Sequence, residues 1–256
     1  GFGGSGILSS LVLGLRPLLS VTASSIDLSR IRAVSLDLDD TLWPIWPTIA
    51  RAEAVLLDWL ATHAPATRAL HASTGALRAL RERVYQLRPD LHCDLGALRR
   101  ESIRMALEQA GDDPGLAEPA FEVFFSERQR VELFDDALPA LEYLSRRWPV
   151  VALSNGNADV HQMGLGTYFH AAVHAREAGV SKPDARIFHQ AAQAAGVAPA
   201  QVLHVGDDAH LDSLGALEAG MQAVWLNRSG SDWPHGAMAP HATVGNLHAL
   251  CTLLEP

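Results

Sequence analysis

"SLDLDDTLW", residues 35–43, sets three carboxylates (Asp37, Asp39 and Asp40) within four positions, directly after an apolar run. Like charges this close repel, so the crowding calls for a compensating cation. Hard oxygen ligands suit Mg2+, which takes one or two carboxylates together with phosphate oxygens and water. A later apolar run, "QVLHVGDD" (201–208), ends on a further carboxylate pair. A divalent cation held by Asp37, Asp39 and Asp207 would offset most of the repulsion. The stretch therefore reads as a metal and phosphate site at the end of a buried strand.

Outward from it, short apolar runs recur, each closed by a polar or glycine-containing turn: "IRAVSLD" (31–37), "VVALSN" (150–155), "AAVHA" (171–175), "QVLHVGDD" and "QAVWLN" (222–227). Continuous Val/Leu/Ala stretches without alternation mark strands covered on both faces, as in a parallel sheet. Helical patterns lie between them, at about 136–147, 184–196, 209–219 and 246–254. This alternation predicts an α/β fold with a doubly wound, Rossmann-like parallel sheet. More than a hundred residues separate the first strand from the second, and they are helical in character. Ile49, Ala52, Val55, Leu56, Trp59 and Leu60 recur at helical spacing, as do Phe121, Phe124 and Phe125, and "LRALRERVYQLR" (77–88) reads as a further helix. The expected organisation is an N-terminal extension (1–30), a core domain (31–43 and 133–256) and an inserted helical cap domain (44–132).

Three polar pairs close predicted strands: Asp37/Asp39, Ser154/Asn155 and Asp207/Asp208. Lys182 falls in a loop, "GVSKPD" (179–184), just before a helix. In an open α/β sheet the carboxyl edge of the strands is where ligands bind, so four segments are expected to converge on one crevice. Asp40 is expected to be a turn residue or helix cap. His204 lies inside an apolar run and reads as a packed core histidine, not a metal ligand. No histidine pair has H-E-x-x-H spacing, and Ser154 lacks the G-x-S-x-G elbow of a triad serine.

These residues resemble the haloacid dehalogenase (HAD) superfamily through all four of its motifs: D-x-D-x-T (Asp37, Asp39, Thr41), S/T-N (Ser154, Asn155), K-P (Lys182, Pro183) and G-D-D-x-x-x-D (Gly206 to Asp212). The resemblance implies that Asp37 is a nucleophile forming an aspartyl-phosphate and that Asp39 is the acid and base. It implies that Ser154, Asn155 and Lys182 hold the phosphoryl oxygens, that Asp207 completes the Mg2+ site, and that Thr41, Asp208 and Asp212 support it. Asp37 needs no activating base, since a carboxylate is ionised at pH 7. The dehalogenases of the superfamily lack the second motif aspartate, which is present here as Asp39. A phosphonatase would want a cap lysine, and residues 44–132 contain none. A phosphomutase shares every motif, and a non-catalytic binding protein on this scaffold would have little use for the complete set.

Longer stretches, among them "WPVVALSNGNADVHQMGLGTYF" (148–169) and "VLHVGDDAHLDSLGALEAGMQAVWL" (202–226), resemble the bacterial flavin-pathway phosphatases of the superfamily. This implies a small-molecule phosphate ester as substrate, 5-amino-6-(5-phospho-D-ribitylamino)uracil and also FMN, with the cap selecting it. Phosphoglycolate, a sugar phosphate or a nucleotide is the alternative. Trp43 and Trp46, in the linker "WPIWP" (43–47), are expected to pack a hinge or to stack on a planar substrate ring. Tyr85, Arg81, Arg83, Arg88, Arg99 and Arg100 are the other cap residues that could line a pocket.

Composition narrows the partners. A net charge of -9 and the absence of any Lys/Arg run argue against nucleic acid. Two cysteines, Cys93 and Cys251, lie far apart without C-x-x-C spacing, as expected for a reducing cytoplasm. "ILSSLVLGLRPLL" (7–19) is too short for a bilayer and is interrupted by Arg16 and Pro17, so no membrane role is expected. "GFGGSG" (1–6) matches a dinucleotide loop only formally, with no strand before it. Nothing in the sequence fixes an oligomeric state.

Overall fold

The computed structural model describes residues 25–236 and 238–255, so most of the expected extension, with both "GFGGSG" and the 7–19 stretch, lies outside the described residues. Six strands form one parallel sheet: β1 (Ala33–Leu36), β2 (Val150–Ser154), β3 (Ala171–His174), β4 (Val202–Gly206), β5 (Gln222–Leu226) and β6 (Ala242–Val244). Their order is β3-β2-β1-β4-β5-β6. Val34 of β1 pairs with Val150 on one side and Leu203 on the other. The chain winds outward from β1 in one direction and then returns to β4 to wind in the other. That reversal opens a crevice at the carboxyl ends of β1 and β4.

Every residue of β1, β2, β4 and β5 is buried, which is why these strands read as unbroken apolar runs. The edge strand β6 was not apparent in the sequence. Three residues are too few to carry a periodic signal.

After β1, residues 45–128 build five helices: α1 (Ile45–His63), α2 (Pro65–Leu70), α3 (Thr74–Leu87), α4 (Leu95–Ala110) and α5 (Ala117–Arg128). They share an apolar core of their own, in which Ala52, Leu56 and Leu60 meet Ile103, Leu107, Phe121 and Phe124. Val55, one of the periodic positions, is instead exposed. Side-chain caps fix the helix starts: Ser73 accepts from Ala76 N, and Asp94 from Ala97 N. Gly111, at a φ of 80°, ends α4 in the left-handed conformation that favours glycine.

The sheet is covered by α6 (Ala137–Ser145) and α10 (Leu247–Leu253) on one face. On the other lie α7 (Ala175–Ala178), α8 (Ala185–Ala194) and α9 (Gly215–Glu218). The helix expected at 209–219 starts as a π-helical turn, Ala209–Leu214, and tightens into α9. Residues 25–30 are tied to β5: Asp27 N donates to Gln222 Oε1, and Gln222 Nε2 donates back to the Asp27 carbonyl. Among the described residues no helix is long and apolar enough to cross a membrane.

Candidate active site

Four loops meet over the carboxyl ends of β1, β2 and β4. Lys182, the sequence's one lysine, is buried at their centre. Its Nζ donates to Asp37 Oδ1 at 2.5 Å and to Asp212 Oδ1 at 2.6 Å. Asn155 holds the lysine's backbone: Lys182 N donates to Asn155 Oδ1, and Asn155 Nδ2 donates to the Lys182 carbonyl. Most of the Asn155 amide is therefore spent on aiming the lysine. Ser154, at the end of β2, is buried, and its Oγ accepts from Gly156 N at 2.9 Å.

Asp212 is fixed from three sides. It accepts from Lys182, pairs with His204 Nε2 at 3.1 Å, and accepts from Asp208 N at 3.0 Å. His204 is fully buried in β4, and its Nδ1 meets Ser35 Oγ at 2.8 Å. It is thus a core histidine with a polar task. Gly206 makes room for this arrangement, since a Cβ there would lie 2.2 Å from Asp212 Cγ. The Asp208 carboxylate caps the following turn, accepting from His210 N and Leu211 N. Thr41 Oγ1 donates to Asp207 Oδ1 at 3.4 Å.

Oxygens of Asp37, Asp207 and Asp212 lie within 4.8 Å of one another. Three carboxylates, when all are ionised, leave a local excess of two negative charges over one lysine, the amount a divalent cation offsets. Titration behaviour follows from the same crowding. Burial lifts the Asp37 carboxyl well above the ordinary carboxylate range, against the pull of Lys182. Burial, then Asp212 and Asp40, push Asp207 up to about 7. For Asp212 burial also favours the neutral form, but Lys182 and His204 outweigh it and hold the group well below its usual range. Burial opposes the charge on Lys182 as well, yet Asp212 and Asp37 raise it above the ordinary lysine value. The donor set of hard oxygens, with excess charge and raised proton affinity, fits a divalent cation.

The side-chain cluster departs from the expected Asp37, Asp39 and Asp207 at one position. The Asp39 carboxylate turns away to Arg128, whose Nη2 donates to both its oxygens at 2.7 and 2.8 Å, and it accepts from Trp43 Nε1 at 2.8 Å. A guanidinium and an indole draw it out of the cluster, and Asp212 takes the third place. Gly156 permits this approach, because a Cβ there would lie 2.8 Å from Asp39 Oδ2. Asp40 adopts a φ of 58° and accepts from Ile45 N, capping the start of α1 as expected of a turn residue.

Beside Asp39, where α1, α3, α4 and α5 face the sheet, a chamber of about 300 Å3 is lined by Trp46, Ile49, Phe124, Arg81, Arg99 and Arg128, among others. Trp43 is fully buried and packs under the loop, so it is not a stacking platform, whereas Trp46 is exposed at the chamber. Tyr85 stacks on His92, Arg88 pairs with Asp90, and Arg100 pairs with Glu118, none of them in that chamber. Arg83 is exposed. Arg128 escaped the sequence reading. Its signal was its spacing from Phe121 and Phe124, which puts a charged residue on the apolar face of α5.

Comparison with known proteins agrees with this geometry. Residues 31–220 match the family described as haloacid dehalogenase-like hydrolase. The 5-amino-6-(5-phospho-D-ribitylamino)uracil phosphatase YigB of Escherichia coli is 34% identical over 89% of this chain and 98% of its own length. A phosphoserine phosphatase of Thermus thermophilus is 39% identical over 52% of this chain and 56% of its own. Among solved structures, a 2-haloacid dehalogenase from Pseudomonas syringae pv. Tomato superposes with a TM-score of 0.81 at 39% identity, covering 88% of this chain and 98% of that one. With the matched family spanning β1 to β4, the inserted helices and every motif loop, the chain belongs to the haloacid dehalogenase-like hydrolases.

Proposed function

We propose that the protein is a Mg2+-dependent phosphomonoesterase of the cytoplasm, acting on 5-amino-6-(5-phospho-D-ribitylamino)uracil and FMN. One observation carries the reaction: Lys182 bridges Asp37 and Asp212 at the carboxyl edge of the sheet, beside Asp207, with two negative charges in excess. Asp37, Asp207 and Asp212 are the side chains that would hold the cation, which when bound neutralises charge on the phosphoryl oxygens and on the carboxylates. Asp37 attacks phosphorus, the ester P–O bond breaks, and an aspartyl-phosphate forms on its carboxylate. Lys182 balances charge on the transferred group, and Ser154, buried at the end of β2, holds a phosphoryl oxygen. Asp39 is the group that supplies a proton to the departing alkoxide and later takes one from the water that releases inorganic phosphate. Arg128 and Trp43 fix its orientation.

The substrate rests on the likeness to YigB along nearly the whole chain and on a chamber with aromatic, aliphatic and cationic walls. The free cysteines Cys93 and Cys251 fit a reducing compartment. Similarity to the Pseudomonas structure raises dehalogenation as a second reading, and the excess negative charge around Asp37 favours a cation and a phosphate ester over it. The test is turnover of FMN, the ribitylaminouracil phosphate, phosphoserine, phosphoglycolate, hexose phosphates and 2-chloropropionate, each with Mg2+ and with EDTA. Highest kcat/KM for the first two, abolished by EDTA, is the expected result. Chloride release from 2-chloropropionate without phosphate release from any ester would overturn the proposal.

A further inference from the structure

The chamber beside Asp39 has more hydrogen-bond donors and more positive charge than the protein uses. Arg81 Nη1 and Arg99 Nη1 both donate to a single oxygen, Glu53 Oε1, at 3.4 and 3.3 Å. Arg128 is 2% exposed and spends only Nη2 on Asp39, while its buried Nη1 has no hydrogen-bond partner among the described residues. Each guanidinium carries five N–H donors and no acceptor. Three cations thus face two carboxylates, Glu53 and Asp39, and most of their donors are unspent. A buried donor left unpaired is costly, so such a surplus marks a place for a ligand that brings acceptors. The rest of the wall is flat and apolar. Phe124 lies under Arg99, whose Cζ is 3.7 Å from its ring centroid, and Trp46 and Ile49 complete it.

We propose that Arg81, Arg99 and Arg128 are the specificity-determining residues for the leaving group, receiving the carbonyl oxygens of a planar, pyrimidinedione-type ring whose face rests on Trp46 and Ile49, while Phe124 supports Arg99 from beneath. This rests on the phosphatase reading above and adds to it the part of the molecule that recognises the alcohol. A guanidinium fork matches adjacent ring acceptors, and the apolar wall matches the ring face. The same donors would also accept a carboxylate, and the choice of esters separates the two.

The experiment compares kcat/KM for FMN, phenyl phosphate and phosphoserine in the Mg2+-loaded enzyme and in Arg81→Met and Arg99→Met. Phenyl phosphate offers a flat ring without acceptor oxygens, and phosphoserine offers a carboxylate without a ring. Wild-type enzyme should prefer FMN to phenyl phosphate, and each variant should lower that preference about tenfold, or about 1.4 kcal/mol, chiefly through KM. Riboflavin, the dephosphorylated product, should bind the variants correspondingly more weakly by fluorescence quenching. Arg81 is partly exposed, so its variant is expected to fold even if the buried Arg99 variant does not. An FMN preference that survives both substitutions would overturn the proposal and leave the phosphatase reading intact. Loss of phosphoserine turnover with FMN unaffected would also overturn it, pointing to a carboxylate site. Absence of turnover on all three esters in the wild type would remove the phosphatase reading and the proposal together.

Discussion

Lys182 Nζ sits between Asp37 Oδ1 and Asp212 Oδ1 with all three side chains nearly excluded from water. A buried cation shared by two carboxylates is costly to disturb, since removing one partner strands charge in a medium that cannot solvate it. Lys182→Met is expected to abolish turnover and to lower unfolding free energy by about 3–5 kcal/mol, read by urea denaturation. Asp37 behaves oppositely. Burial already favours its neutral carboxyl, and Asn is close to an isostere of that form. Asp37→Asn should leave the melting temperature unchanged or raised while phosphate release falls below about 1% of wild type, the scale seen when a group acting directly in the transition state is removed. A folded Asp37→Asn enzyme with substantial turnover would remove Asp37 as the nucleophile. Asp39 separates from both through the leaving group. Asp39→Asn should slow alkyl phosphates far more than activated aryl phosphates, which leave without a proton. Equal losses on the two ester types would exclude Asp39 as the acid.

The loops that carry these groups depend on close backbone approach at strand ends. β4 ends at Gly206, against which Asp212 folds back from the π-helical turn to reach Lys182. A methyl group there has no room, so Gly206→Ala should cost about 1–3 kcal/mol of stability, the usual penalty of overpacking. It should also displace Asp212, so activity should fall even at temperatures where the variant is folded. Retained activity together with wild-type thermal melting would mean that the turn yields without moving Asp212. The strand ends were legible in the sequence because buried parallel strands are apolar throughout, and the polar groups closing them stand out. The helices α1, α3 and α5 were legible by their spacing. The partnership of Asp39 with Arg128 was not, because it joins the loop after β1 to α5 across 89 residues of chain, and no local pattern encodes a contact at that range. Nor was the exchange of Asp39 for Asp212 in the carboxylate cluster. Spacing told which carboxylates stand near the crevice, while the turn of each side chain was decided by partners elsewhere in the fold. Trp43 is similar: its neighbours in sequence suggested a hinge or a platform, and its Nε1 bond to Asp39 is what locks it inside.

At the scale of the whole molecule, a protein of net charge -9 keeps an excess of buried negative charge at its centre, and this links stability, protons and metal. Asp207 is pushed up to about 7 and Asp37 lies well above its ordinary range, both first by burial. Unfolded, both carboxyls would titrate near 4, the reference carboxylate value. Between about pH 4 and 7 the folded metal-free protein therefore binds more protons than the unfolded chain, and its stability from these groups falls as pH rises through that window. Asp212 has the opposite sign, because its carboxyl is held low in the fold; its contribution is present above about pH 4 and is lost only in stronger acid. Metal changes the balance. A divalent cation binds the ionised carboxylates, so its affinity should rise with pH through about 7 and its binding should release protons. Because a ligand that binds only the folded state stabilises it by mass action, the rise in melting temperature on adding Mg2+ should be larger at pH 8 than at pH 5.5. Scanning calorimetry with and without EDTA at the two pH values measures this directly, and Asp207→Asn supplies the control, since it should weaken both the Mg2+ shift and its pH dependence, leaving the part that Asp37 contributes. A Mg2+ shift that is equal at both pH values, or that survives intact in Asp207→Asn, would place the cation away from these carboxylates.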